Sequence, residues 1–329
     1  MKVPPCVLGV GTAVGKEEFE GPIGSEFAFH SGDNTFGMKT WEKSESEMIR
    51  TSFNCAVQNA KIKPCDIDAV FAGDLMNQCT ASTYGLSESK APYFGLYGAC
   101  STMAESIILA SVCMQSGAFE KTAVCASSHN CTAERQFRFP VEYGGQRTPT
   151  SQRTVTAASC MILGKTTSYM YVSEVMPGRC IDAGIKDINN MGAAMAPAAY
   201  DTLSRFFENT ETSAKDYDLI LTGDLGYEGS EILKDLMTEA KYDISSVYND
   251  CGLIIYDKSR QDVHAGGSGC GCGGAVLCSH IANRFKKEEL KNVLFIGTGA
   301  LMSPLTVFQG ESIPSIAHLV HFSSESCGV

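Results

Sequence analysis

Apolar positions along this chain follow helix-like and strand-like spacings, and the same order of elements occurs twice. Residues 65–75 (CDIDAVFAGDL) and 215–225 (KDYDLILTGDL) are short apolar runs ending in Gly-Asp-Leu. Five of their eleven positions agree at one constant offset: Asp66/Asp216, Asp68/Asp218, Gly73/Gly223, Asp74/Asp224 and Leu75/Leu225. A helix-like segment precedes each run. The first is predicted to begin at Ser44, where Ser-Glu-Ser-Glu has capping-box spacing, with Ile49, Phe53, Ala56, Val57 and Ala60 at helical intervals. The second, around Ala193–Glu208, carries Ala194, Ala198, Leu203 and Phe206 less regularly. After each matched strand come a small-residue turn, an apolar helix (101–115 and 268–282) and another strand (121–126, KTAVCA; 291–296, KNVLFI). Both helices are apolar on nearly every side, which predicts burial between sheets.

The repeated order defines an α/β protein of two duplicated halves. The boundary is placed near Lys165–Ser168, after the strand TVTAASCMILG, giving an N-terminal half of 1–166 and a C-terminal half of 167–329. Composition agrees with a packed globular chain: 329 residues, 44% hydrophobic and 19% charged. No apolar stretch reaches the roughly 18 residues of a membrane span, and no basic-then-apolar leader is present, so a soluble, cytoplasmic protein is expected. The net charge of −11 argues against nucleic acid as a partner. Fifteen cysteines without a small-domain framework read as reduced thiols, most of them small core residues.

Cys100 stands out from these. In YGACSTMA (97–104) it follows Gly98 and Ala99 and opens the apolar helix. A thiol there lies beside unpaired backbone N–H groups and the positive end of the helix dipole, a setting that favours thiolate. Small preceding residues permit a sharp strand-to-helix turn of the kind that presents a nucleophile; an inert cysteine is the alternative. Cys113, deep in the helix, reads as core.

Asp224, at the C-terminal end of its strand, and His264, before Ala-Gly-Gly-Ser-Gly, are the candidate partners. For Asp224 and its echo Asp74 the alternative is turn formation, and for His264 it is loop closure. The Gly-rich stretch 266–274 lacks the lysine and serine or threonine of a phosphate loop, and Cys270, Cys272, Cys278, His264 and His280 have poor spacing for zinc. No metal site is expected; close packing of a buried helix accounts for the small residues. GVGTAVG near the N-terminus misses the dinucleotide fingerprint. Of nine arginines, Arg135, Arg138, Arg147 and Arg153 fall within residues 134–153, which points either to an anionic ligand or to a loop salt-bridged to the acidic body.

A duplicated α/β chain with a cysteine heading a buried helix resembles the thiolase and ketoacyl-synthase superfamily. YGACSTMAES, SSHNCTAERQFRFPVEYGGQ, AMAPAAYDT, DYDLILTGDL, NDCGLIIYD, GGSGCGC, GTGALMSP and IPSIAH narrow the resemblance to the stage V sporulation protein AD family of spore-forming bacteria, over nearly the whole chain. It implies a thiolase-like fold in five α-β-α-β-α layers. It also implies binding of dipicolinic acid or its calcium chelate and support for its movement into the developing spore. The partners would be membrane proteins of the same operon, with the protein peripheral to the forespore membrane.

Cys100 matches the superfamily's nucleophile position, and His264 falls where thiolases carry a histidine. Asp224 falls near where condensing enzymes carry histidine or asparagine. That departure matters, because a carboxylate repels the enolate and oxyanion that condensation must stabilise and suits calcium better. A non-enzymatic binding protein is therefore expected, lined by Cys100, Asp224 and His264, with Arg135 and Arg147 compensating ligand charge. Calcium enters only with the ligand and no cofactor is implied. The alternative is an acyltransferase using Cys100 as thioester nucleophile. Superfamily folds pair through strands near 121–128, so a homodimer is expected.

Overall fold

The computed structural model describes residues 3–136 and 147–326. The chain runs β1 (Cys6–Val14), α1 (Lys16–Phe19), β2 (Phe29–His30), α2 (Trp41–Ala60), β3 (Ala69–Gly73), α3 (Thr80–Leu86) and β4 (Tyr93–Gly95). It continues through α4 (Thr102–Gln115), β5 (Thr122–Ser128), α5 (Asn130–Gln136), β6 (Arg153–Thr154) and β7 (Ala157–Gly164). Then follow β8 (Tyr171–Met176), α6 (Met191–Thr210), β9 (Leu219–Thr222), α7 (Gly226–Glu239), β10 (Tyr248–Asp250) and α8 (Cys251–Ile254). Last come β11 (Gly267–Ser268), α9 (Cys270–Val276), α10 (Ala282–Lys286), β12 (Asn292–Ala300), α11 (Pro304–Phe308) and β13 (Ser315–Ser323).

Ten of these strands form a continuous path, β10-β9-β12-β13-β8-β1-β7-β5-β3-β4. Its two ends are equivalent. On one side β4, β3 and β5 are parallel, then β7 and β1 pair antiparallel. On the other β10, β9 and β12 are parallel, then β13 and β8 pair antiparallel. The echoed segments lie on β3 and β9, which hold the same place in each sheet. The sheets meet through a single antiparallel pair, Cys6 with Tyr171.

Three hydrophobic cores show the layering. One lies between α2 and the outer face of the first sheet, around Met48, Ile49, Phe53 and Ile162. The central one joins α4 and α9 to the inner faces of both sheets, and the third joins α6 and α7 to β9, β12 and β13. Each fully buried Ile, Leu or Phe contributes about 1.5–3 kcal/mol. The outcome is five layers, α-β-α-β-α.

Several expectations need correction. Thr40, not Ser44, caps α2: its hydroxyl accepts from Lys43 N at 3.3 Å. Ser44 lies inside the helix and donates to Thr35 O and Thr40 O, because the chain turns into helix one turn earlier than the acidic pattern suggests. The two central helices differ. Every residue of α9 is buried, whereas α4 leaves Leu109 and Val112 exposed at the rim of its layer. The glycines of α9 fit it to strands rather than to another helix; a Cβ on Gly274 would lie 2.1 Å from Ser159 Oγ of β7. Finally, β5 (the 121–128 region) is hydrogen-bonded on one side to β3 and on the other to β7, so it has no edge to offer a second chain. The path ends at β4 and β10 instead.

Candidate functional site

The turn before α4 is tight for an identifiable reason. Ala99 has φ 52°, in the left-handed region, and begins a short 3-10 turn (Ala99–Ser101) that leads into the helix. A Cβ on Gly98 would lie 2.3 Å from Glu105 Oε2, so a larger residue there would have to displace the end of that side chain. Ser101 Oγ donates to Gly98 O at 2.6 Å and Thr102 Oγ1 to Ala99 O at 2.7 Å, pinning the turn. Cys100 is thereby held at the start of α4, 9% exposed.

Asp224 follows β9 and is fully buried. Its Oδ2 accepts from Gly269 N at 2.8 Å and Ser268 Oγ at 3.1 Å, and its Oδ1 from Thr298 Oγ1 at 2.8 Å. The Cys100 thiol is among the groups that act to hold the Asp224 carboxyl down. Thr298 Oγ1 in turn accepts from Asp224 N at 3.2 Å, which directs its own proton to the carboxylate. Gln152 Nε2 donates to Asp224 O at 2.8 Å and to Gly267 O at 2.9 Å, tying the segment to the first half. Burial pushes the Asp224 carboxyl up from its ordinary range, while the bonds from Gly269, Cys100, Thr298 and Ser268 hold it down. An acceptor facing this many donors is suited to the ionised form. Behind it, Asp250 receives Thr222 Oγ1, Leu225 N, Gly226 N and Gly252 N. Burial pushes Asp250 up to about 7.

Beside Cys100 opens a cavity of about 230 Å³ lined by Leu75, Tyr97, Ala99 and Cys100 from the first half and by Met191 and Ala300–Ser303 from the second. It is largely apolar. Tyr97 presents the one aromatic ring among these residues, and its hydroxyl is held by Asn77 Oδ1 at 3.1 Å. Among the described residues, no Lys, Arg or His lines it.

Of the predicted residues the cavity wall takes Cys100; Asp224 is buried and is not among the lining residues, and the other predicted side chains are held elsewhere. His264, with φ 49°, closes a loop: its Nδ1 lies 2.6 Å from Thr148 O and its Nε2 3.0 Å from Asp262 Oδ1. Arg147 pairs with Asp262 at 2.9 Å and Arg135 with Glu42 at 3.1 Å, so each guanidinium already has a carboxylate on the protein. Arg138 lies outside the described residues. Asp74 forms a turn and a cap, accepting from Met76 N, Ser82 N and Ser82 Oγ. Burial raises the thiols of Cys270, Cys272 and Cys278 in the central helix. Sequence reasoning missed Ser268, Thr298 and Gln152. It also missed Tyr97, although Tyr97 stands three residues before Cys100, and Met302, which sits in the quoted GTGALMSP.

A duplicated sheet-and-helix stack with a helix-start cysteine at its central cavity defines a thiolase-like protein. Solved structures agree on the fold. The 3-oxoacyl-[acyl-carrier-protein] synthase III of Aquifex aeolicus VF5 superposes with a TM-score of 0.60 at 11% identity, covering 96% of this chain and 99% of that one. The acetyl-CoA acetyltransferase of Syntrophomonas wolfei does so with a TM-score of 0.60 at 8% identity, covering 99% and 100%. The particular family is shown by sequence: residues 1–323 match the description of stage V sporulation protein AD. The stage V sporulation protein AD of Bacillus subtilis (strain 168) is 41% identical over 319 residues, 97% of this chain and 94% of that protein. The chain belongs to the stage V sporulation protein AD family. Among the described residues, no helix is long and apolar enough to cross a membrane.

Proposed function

We propose that this protein is a binding protein rather than a condensing enzyme, and that the cavity beside Cys100 receives dipicolinic acid or its calcium chelate. In this role it would act peripherally at the forespore membrane, with membrane proteins of the same operon, in moving the ligand into the spore. The observation that carries the reading is the buried Asp224 carboxylate, on whose ionisation Cys100 acts. The side chain beside the nucleophile position is a buried carboxylate, and His264 is engaged with Thr148 and Asp262. An acyltransferase needs a donor or neutral group to stabilise an oxyanion there. The cavity wall supports a small, flat ligand: Tyr97 offers a ring face, and Met191 and Met302 offer polarisable thioethers. Among the described residues the wall carries no Lys, Arg or His, which suits a ligand carrying two carboxylates whose charge is neutralised by the metal it brings.

Titration calorimetry with calcium dipicolinate tests this reading. Saturable binding by the wild type is expected, with at least about a tenfold loss, or about 1.4 kcal/mol, in the Cys100→Ala/Asp224→Ala double variant. No heat with the wild type, or unchanged affinity in the variant, overturns the assignment.

A further inference from the structure

We propose that Asn77 is a positioning residue for Tyr97, and that the ring it fixes at the cavity mouth selects a flat aromatic ligand over a puckered one of the same outline. This deepens the binding role proposed above, and its ligand arm rests on that role.

The two residues meet because two parallel strands end side by side. β3 and β4 are in register up to Ala72 and Gly95, so residues 74–79 and 96–99 leave from one edge as neighbouring turns. They approach closely: Leu96 N donates to Ala72 O at 2.9 Å, and a Cβ on Gly73 would lie 1.9 Å from Leu96 O. Leu75 of the first turn and Tyr97 of the second both line the cavity.

Tyr97 is 55% exposed, so burial alone does not fix its ring. Its hydroxyl donates to Asn77 Oδ1 at 3.1 Å and lies 3.5 Å from Leu75 O. Asn77 is in turn held by an uncommon backbone. Gln78 (φ 61°) and Cys79 (φ 50°) are consecutive left-handed residues, and neither is glycine. Such a conformation persists only where its surroundings fix it. Here Asp74 Oδ1 accepts from Met76 N at 3.0 Å, and Thr80 Oγ1 donates to Asn77 O at 2.8 Å. The Cys79 thiol donates to Leu96 O at 3.2 Å, back on the turn that carries Tyr97. An exposed asparagine is thus anchored on both sides and aimed at the ring hydroxyl. A tyrosine fixed this way presents a constant face for stacking, whereas a loose one would lose rotamer freedom on binding.

The probes are dipicolinate and its saturated analogue piperidine-2,6-dicarboxylate, each titrated calorimetrically as its calcium complex into the whole protein. The wild type is expected to prefer the aromatic ligand by at least about tenfold, and Tyr97→Leu to lose that preference. Asn77→Ala and Tyr97→Phe both keep the ring and remove the hydroxyl bond. Each should reduce the preference by about threefold, and the two together by no more than either alone. Asn77→Asp, which keeps an acceptor, should retain it. Equal binding of the two ligands by the wild type, or additive losses in the double variant, overturns the proposal. A readout without ligand separates positioning from binding. In protein labelled with 3-fluorotyrosine, the Tyr97 fluorine resonance, assigned by its loss in Tyr97→Phe, should narrow in Asn77→Ala as the ring gains motion and stay broad in Asn77→Asp. An unchanged line width in Asn77→Ala overturns the positioning even where ligand binds. If the wild type binds neither ligand, the ligand assignment of the cavity falls, and the line width alone decides the role of Asn77.

Discussion

Ala99 carries a conformation that its Cβ makes costly, about 1–2 kcal/mol for an L-residue in the left-handed region. Glycine removes that cost but loses more freedom on folding, about 0.5–1 kcal/mol. Ala99→Gly is thus expected to leave stability equal or slightly higher in urea denaturation, and a loss of about 1 kcal/mol or more would contradict the strain. At this scale the sequence was informative where chemistry is local. Cys100 is legible because turn, thiol and helix start are contiguous, and Asp224 because it ends a strand. Ser268, Thr298 and Gln152 were not legible, since their roles arise only when β11, β12 and β6 converge on Asp224. His264 was legible as a residue beside the Gly-rich turn but not as a ring direction, which Thr148 and Asp262 set from distant positions.

Strand β12 shows what elements contribute. Its Gly297 and Gly299 face the turn that carries Cys100; a Cβ on Gly297 would lie 2.6 Å from Ala104 Cβ, and one on Gly299 2.8 Å from Gly98 O. The notch lets the start of α4 sit directly on a strand of the other half, with Thr298 between the two glycines reaching Asp224. Gly297→Ala should overpack this contact and destabilise by about 1–3 kcal/mol in thermal or denaturant unfolding; a neutral effect would show that the notch is slack. Periodicity placed α2, α4, α6 and the strands to within a few residues because apolar spacing reports burial. Caps and rims escaped it. Thr40 rather than Ser44 ends the solvent-facing approach to α2, and the outer side of α4, with Leu109 and Val112, cannot be distinguished by pattern from a fully enclosed helix.

For the whole molecule, buried carboxyls set the pH response. Burial raises Glu45 to about 8, with Asp74 adding to it, and raises Asp250 to about 7. A carboxyl raised on folding leaves stability intact below its unfolded value, near 4, and costs stability progressively as pH climbs through the folded value. Glu26 and Glu174, lowered by bonds from His280 and His321, act oppositely and lose their contribution as pH falls through the acid range. Melting temperature is therefore expected to peak on the acid side of neutrality and to decline from about pH 5 to pH 8. The decline should be shallower in Glu45→Gln. A melting temperature that rises over that interval would contradict the burial of these groups. The duplicated architecture itself was legible from the echo at 65–75 and 215–225, because equivalent strands share the same burial on both faces. The single Cys6–Tyr171 joint between the sheets leaves no such trace, since one backbone pair imposes no side-chain pattern.

The cavity wall has one more consequence. Leu75, Tyr97 and Cys100 belong to one side of the molecule and Met191, Met302 and Ser303 to the other, so any occupant bridges the seam between them. Binding free energy then acts as a clamp across that seam. Above saturation, each tenfold rise in free ligand adds about 1.4 kcal/mol against separation of the two sides. A loaded molecule is mechanically stiffer than an empty one, and a partner resting on both sides of the seam can distinguish the two states without touching the ligand.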